Sequence, residues 1–401
     1  MTFPIPWIRI FPVPADTNRL RKDYIPPPAS ESTILMENLT VGFIGLGLIG
    51  GSIAKALRKF HPSCRIMAYS RTLETVEQAK QEGVIDIICE KEDPFFSACD
   101  YIFMCAPVSS NIEYLPFLKD NMRPSCILTD VGSVKTPIHD AINTMGMSSV
   151  FIGGHPMAGS EKSGYTNATD YLIENSYYIL TPGEGVAQEK IDGFSHLISS
   201  IGGLPVTISC GEHDYITAVI SHLPHVIAST LVNAVQRLDG PEAHMKMIAA
   251  GGFKDITRIA SSSPEMWQQI CNENKENIAN VIDTYIDMLK EAREMICEKD
   301  SLGVYHMFED SRDYRNSFGD SSAGPIKKNY SFYCDIYDEP GGIATITIML
   351  AMRGISIKNI GIVHNRAFEE GVLNIEFYDE ESWEQAMAIL RSRNYTVHQK
   401  N

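Results

Sequence analysis

The spacing of apolar and polar positions changes character twice along this chain. "LTVGFIGLGLIGGSIAKALRKF" (residues 39–60) runs from a short apolar strand through glycines into a helical pattern. "CRIMAYSR" (64–71) is a second strand, and "TLETVEQAKQEG" (72–83) an amphipathic helix with Gly83 suited to its C-terminal end. "DYIFMCAPV" (100–108) is apolar throughout, as in strands covered on both faces of a parallel sheet. "CILTDVGS" (126–133), "SSVFIGGH" (148–155), "NSYYILTP" (175–182) and "LPVTISC" (204–210) are further strands. Strands alternating with helical patterns predict an α/β domain over 36–210, with a mostly parallel sheet.

From residue 212 to about 302 the strand signals stop. "HDYITAVISHLPHVIASTLVNAVQRL" (213–238) carries apolar residues at helical spacing. So does "PEMWQQICNENKENIANVIDTYIDMLKEAREMI" (264–296), too long and too apolar on one stripe for a lone surface helix. This predicts an all-helical domain over 211–310 that supplies a dimer interface. Residues 311–329 are polar and rich in glycine and serine, and read as a linker. Residues 330–401 read strand, helix, strand, strand, helix, strand: a small ferredoxin-like α+β domain. Residues 1–35 are proline-rich without period. They lack a basic segment leading into an apolar one, so they read as a flexible extension rather than a secretory signal.

Composition narrows the function classes. The 401 residues carry a formal net charge of -16 with no Lys/Arg-rich run, which argues against nucleic acid or anionic membrane as main partner. An anionic small molecule held by local arginines stays open. Nine cysteines are scattered without C-x-x-C or zinc spacing, as expected of reduced thiols in a cytoplasmic protein. No apolar run looks long enough to span a bilayer.

Gly45-Leu46-Gly47-Leu48-Ile49-Gly50 is G-x-G-x-x-G between a strand and a helix, the context that makes this pattern informative. Gly45 permits the tight turn, Gly47 lets backbone approach a pyrophosphate, and Gly50 lets helix pack on strand. The helix N-terminus, with Leu48 and Ile49 in its first turn, supplies N–H donors. An NAD site places a carboxylate at the tip of the second strand for the ribose 2′-hydroxyl. Here that strand ends Tyr69-Ser70-Arg71. Ser70 and Arg71 suit a 2′-phosphate, which favours NADP and leaves NAD open; alternatively Arg71 stacks on adenine or faces solvent.

"GGHPMAGSEKSG" (153–164) places His155 where an apolar strand ends, the edge of an open α/β sheet at which ligands bind. Its natural role is general base for a hydroxyl whose carbon gives up hydride.

These segments, with "CAPV", "TDVGSVK", "SHLPH" and "FKDITRIASSSPEMW", occur in an order that resembles the prephenate dehydrogenases of tyrosine biosynthesis over residues 36–302. The resemblance implies oxidative decarboxylation of prephenate to 4-hydroxyphenylpyruvate. His155 draws off the ring hydroxyl proton, and Ser133 bonds the same hydroxyl or the histidine; a capping or turn serine is the plainer alternative. Cys105, Pro107 and Val108 of "CAPV" fall to the cofactor. Arg258 binds a substrate carboxylate, a task suited to a guanidinium fork, unless it pairs internally with Asp255, which also orients it. His225 and His222 share a helix face beside the substrate side chain. A metal at that pair lacks a third ligand, so no metal is expected. Trp267 walls the pocket or is plain core. Glu161 gates the site or is a solvated loop acid.

"DEPGGIATITIMLAMRGISIKNIGI" resembles an ACT domain, a small amino-acid-sensing module. That implies an effector, tyrosine as pathway product, held near Asp338, Gly341, Gly342 and Asn359 between paired chains. An ACT domain that only dimerises is the alternative. Rival readings are a β-hydroxyacid dehydrogenase, an arogenate dehydrogenase with the same chemistry, and a non-catalytic amino-acid sensor.

Overall fold

The computed structural model describes residues 39–159, 162–317, 330–336, 341–363 and 371–399. The extension at 1–35 lies outside the described residues. Two compact units divide the chain. One holds the chain through His155 with Gly159–Leu172 and Thr181–Gly193; the other holds Pro156–Ala158, Ile173–Leu180 and Phe194–Asn401.

Strands and helices alternate through the first unit: β1 (Thr40–Ile44), α1 (Leu48–Phe60), β2 (Arg65–Tyr69), α2 (Leu73–Gln81), β3 (Ile87–Ile88), β4 (Tyr101–Met104), α3 (Val108–Asn121), β5 (Ile127–Asp130) and α4 (Thr136–Thr144). The sheet is parallel with order β3-β2-β1-β4-β5. This is the order of a Rossmann-type dinucleotide-binding domain. The apolar runs explain it: β5 is buried along its whole length and β1 and β4 nearly so, as strands covered on both faces must be. Phe43 and Phe103 sit opposite each other on β1 and β4 and stack at 5.2 Å.

The strand expected at 148–155 begins later than its apolar pattern. Ser148–Val150 is a short 3-10 turn, and β6 covers Ile152–Pro156. It is followed by β7 (Tyr177–Pro182), α5 (Gln188–Ser200) and β8 (Leu204–Thr207), and these three strands form a sheet of order β6-β7-β8.

From Cys210 the described chain is helical to Ser317: α6 (Cys210–Thr217), α7 (Leu223–Leu238), α8 (His244–Ile248), α9 (Gly251–Thr257), α10 (Pro264–Glu273), α11 (Lys275–Glu298) and α12 (Ser301–Ser317). Ser209 and Ser263 cap α6 and α10, accepting from the amides of Glu212 and Met266. Between α6 and α7 the helix widens into a π turn over Ala218–His222. Pro224 accounts for it, because a proline ring clashes with the carbonyl four residues back and has no N–H to offer.

Two expectations are corrected here. The linker expected from 311 starts inside α12, which runs to Ser317; 318–329 lie outside the described residues. No residue of α12 is buried, and its Leu302, Tyr305, Phe308 and Tyr314 are exposed. Second, Cys210–Leu238 is, by length and composition, long and apolar enough to cross a bilayer. His213, Asp214, His222 and His225 interrupt it, so it does not read as one apolar run, and the first three of these are buried.

The C-terminal elements are β9 (Tyr330–Ile336), α13 (Gly342–Ala351), β10 (Ile357–Val363), β11 (Gly371–Phe377), α14 (Glu380–Ser392) and β12 (Val397–Gln399). Their sheet is antiparallel with order β10-β11-β9-β12. Phe332, Cys334, Ile346, Leu350, Ile375 and Leu390 share its core.

Candidate active site

The glycine loop joins β1 to α1. Gly45 has φ +91, a conformation that favours glycine. A Cβ at Gly50 would lie 2.7 Å from the Gly45 carbonyl oxygen and 2.9 Å from Cys105 Cβ, so helix and strand could not close around any larger residue. A Cβ at Gly47, by contrast, would meet nothing within 4 Å. Gly47 is the N-cap of α1, no side chain caps that end, and the first turn holds no acid. The helix therefore opens at Gly47 beside free space, with Leu48, Ile49 and Gly50 in its first turn, and the residues fit a dinucleotide pyrophosphate.

Cys105 follows β4, Pro107 caps α3, and Val108 opens that helix, buried. Burial pushes the Cys105 thiol well above its usual range, so it is a packing group rather than a nucleophile. Buried Asn111 braces this turn, accepting from Ala106 N–H at 3.2 Å and donating to the carbonyls of Met104 and Ala106 at 3.2 and 2.9 Å. Sequence reading missed it. At the end of β2, Ser70 is half-buried and Arg71 exposed.

His155 lies on β6 and Ser133 in the turn between β5 and α4, both half-buried. The first glycine of the motif, Gly153, has no room for a side chain: a Cβ there would come within 2.3 Å of Thr181 Oγ1. A buried carboxylate links the two segments. Asp130 Oδ2 accepts from Gly132 N–H at 2.9 Å, and its Oδ1 from Gly154 N–H at 3.2 Å. Lys135 Nζ pairs with Asp130 and donates to the Gly154 carbonyl at 2.7 Å. Neither Asp130 nor Lys135 was singled out from sequence, though both stand in "TDVGSVK".

In the second unit, His222, His225 and Trp267 come together. His225 stacks on Trp267 at 3.8 Å between ring centres, and His222 meets the indole edge-on at 5.9 Å. His225 Nδ1 lies 2.9 Å from the Ser221 carbonyl; a carbonyl can only accept, so Nδ1 carries the hydrogen and Nε2 is the acceptor. His222 Nδ1 faces Asn274 Nδ2 at 3.2 Å, and that amide also donates to the Asp214 carbonyl at 2.7 Å. His222 is thereby held with its hydrogen on Nε2. Desolvation pushes its pKa down to about 4. His225 is lowered as well, first by desolvation and also by the Arg258 guanidinium, against the Ser221 hydrogen bond. Trp267 Nε1 is buried and has no hydrogen-bond partner among the described residues. Asn274 escaped sequence reading; the break it makes between α10 and α11 is its only local mark.

Arg258 was expected to bind a substrate carboxylate or to pair with Asp255. It opens the 3-10 turn Arg258–Ser261 after α9 has ended, and it is exposed, as is Asp255 on α9. Gly341, with φ +93, caps α13, Gly342 begins that helix, and Asn359 is exposed on β10. Glu161 and Asp338 lie outside the described residues.

A parallel sheet of order 3-2-1-4-5 with an uncapped glycine turn at its first crossover defines a dinucleotide-binding protein. Residues 53–206 match the family described as prephenate dehydrogenase, nucleotide-binding domain, and 209–309 that described as prephenate dehydrogenase, dimerization domain. The chain belongs to the prephenate dehydrogenase family. It is 37% identical to the prephenate dehydrogenase of Bacillus subtilis (strain 168), over 88% of this chain and 96% of that protein. It is 34% identical to that of Lactococcus lactis subsp. cremoris (strain MG1363), over 88% and 98%. Among solved structures it is similar to prephenate dehydrogenase from A. aeolicus in complex with hydroxyphenyl propionate and NAD+, at 32% identity and TM-score 0.66, covering 70% of this chain and 98% of that one. Synechocystis arogenate dehydrogenase is similar too, at 27% identity and TM-score 0.64, covering 70% and 100%.

Proposed function

We propose that His155 is the general base of a prephenate dehydrogenase, taking the ring hydroxyl proton of prephenate as hydride departs and CO2 is lost. The observation that carries this is the half-buried imidazole on β6, its preceding backbone tied to the Ser133 segment by one carboxylate. Bound NAD(P)+ supplies the hydride acceptor. Ser133 bonds the substrate hydroxyl or His155. Arg258 takes a substrate carboxylate, with Asp255 beside it in sequence to orient it. His225, a neutral acceptor at Nε2, and His222, a donor at Nε2, read the substrate side chain, with Trp267 as a wall and Glu161 as gate.

Ser70 and Arg71, with no carboxylate at the tip of β2, favour NADP over NAD. Two copies of the chain pair as a homodimer through the helical segment, a reading supported by the apolar surface that segment exposes. Residues 330–401 act as an ACT domain responding to tyrosine; the antiparallel sheet and the left-handed Gly341 at the start of α13 support that reading. All nine cysteines are free, which suits the cytoplasm.

The test is formation of reduced nicotinamide with prephenate and with arogenate, each with NAD and with NADP. Turnover of prephenate is expected; turnover of arogenate alone would replace the substrate assignment while keeping the chemistry. His155→Asn should lower kcat about 100- to 10,000-fold, whereas Arg258→Ala should act mainly on KM. Activity of His155→Asn within a few-fold of wild type would remove His155 as the base.

A further inference from the structure

Asp130 and Lys135 are both fully buried. Taking two charges out of water costs several kcal/mol per ion, and a well-packed apolar pair would often be as stable or more so. Stability is therefore a weak reason for this pair, and its hydrogen bonds suggest another. The segments around it, Gly132 and Gly153-Gly154, have no side chains of their own to anchor them. The ion pair anchors them instead. Asp130 accepts from the amide next to Ser133 and from the amide next to His155. Lys135 holds the Gly154 carbonyl, and its stem lies against Gly153, whose added Cβ would sit 3.2 Å from Lys135 Cδ. Both polar backbone groups of Gly154 thus end on one buried pair.

We propose that Asp130 and Lys135 are positioning residues that set the distance between the Ser133 hydroxyl and the His155 imidazole. The proposal rests on the reading of those two groups as the proton-handling pair. Neither charged side chain need touch substrate. Each acts through a glycine whose displacement carries the catalytic side chain with it, and a misplacement of about 1 Å costs on the order of 100-fold in rate.

The test is the double variant Asp130→Asn/Lys135→Met, which removes both charges together and orphans neither. An asparagine cannot accept from both glycine amides, because one of its two ends is a donor. The expected result is kcat lowered about 10- to 100-fold, with KM for prephenate and the dissociation constant for NADH little changed. A pair that served stability alone would lower the unfolding midpoint and leave kcat of the folded enzyme at the wild-type value, and that result overturns the proposal. His155→Asn assayed alongside separates the two readings. An inactive His155→Asn beside a fully active double variant sinks the clamp and leaves the base standing; an active His155→Asn removes the base and the clamp with it. Should the double variant not fold, amide exchange in the wild-type protein decides. Gly132 and Gly154 should exchange only with global unfolding, and exchange of either at the rate of an open loop refutes the clamp.

Discussion

The α/β unit and the helical segment solve burial in opposite ways. In the first, Val41, Phe43, Ile102, Phe103 and Leu128 have no exposed surface at all. In the second, α11 is 24 residues long, yet only Ile278 and Val281 are buried. Met288 and Leu289 are 60% and 52% exposed on the same helix, and Ile220 on the π turn 59%. Clusters of large exposed apolar side chains mark an interaction surface. The dinucleotide-binding part completes its own core. The helical part, matching a dimerization domain over 209–309, leaves apolar surface for a second chain to cover.

This contrast yields three expectations. The largest is for Phe103→Ala, which should cost about 3–5 kcal/mol of stability, since it removes a ring from a sealed core. Denaturant titrations at several protein concentrations should show the same loss each time; a loss that vanishes on concentrating the protein would contradict a self-contained unit. Next comes pH. The folded pKa of His222 is about 4 against an ordinary 6.5. The unfolded chain therefore binds the proton more readily, and this histidine's contribution is complete above 6.5 and lost as pH falls toward 4. The loss is roughly 3 kcal/mol, and His222→Gln should flatten the stability curve across that window. A curve unchanged by the substitution would put the neutral histidine elsewhere. The smallest expected effect is for Leu289→Glu, a charge on the exposed face. Losing burial of about 1.5–3 kcal/mol should weaken self-association roughly 10- to 100-fold, as read by sedimentation. Unaltered association would move the interface off α11.

The same contrast separates what was legible in the chain from what was not. The glycine turn could be read because its parts are adjacent: Gly45, Gly47 and Gly50 act within six residues on one strand-helix corner. The parallel sheet could be read because strands buried on both faces are apolar throughout. The π turn could not, since Pro224 looks like an ordinary helix-start proline until the preceding helix runs into it. Asn274 reaches His222 across 52 positions, and no local pattern announces a hydrogen bond of that span.

Local chemistry along the chain therefore determined the dinucleotide-binding order of elements, the helical character after residue 210 and the histidine at a strand's end. Tertiary structure alone decided what holds that histidine. Asp130 and Lys135 stand five apart and look like an ordinary short-range pair. Only folding of β5 beside the β6 segment, across Leu128 and Phe151, brings the Gly154 backbone between them. The reason is physical: periodicity encodes which faces are buried, whereas a buried charge is satisfied by whatever groups the fold carries to it.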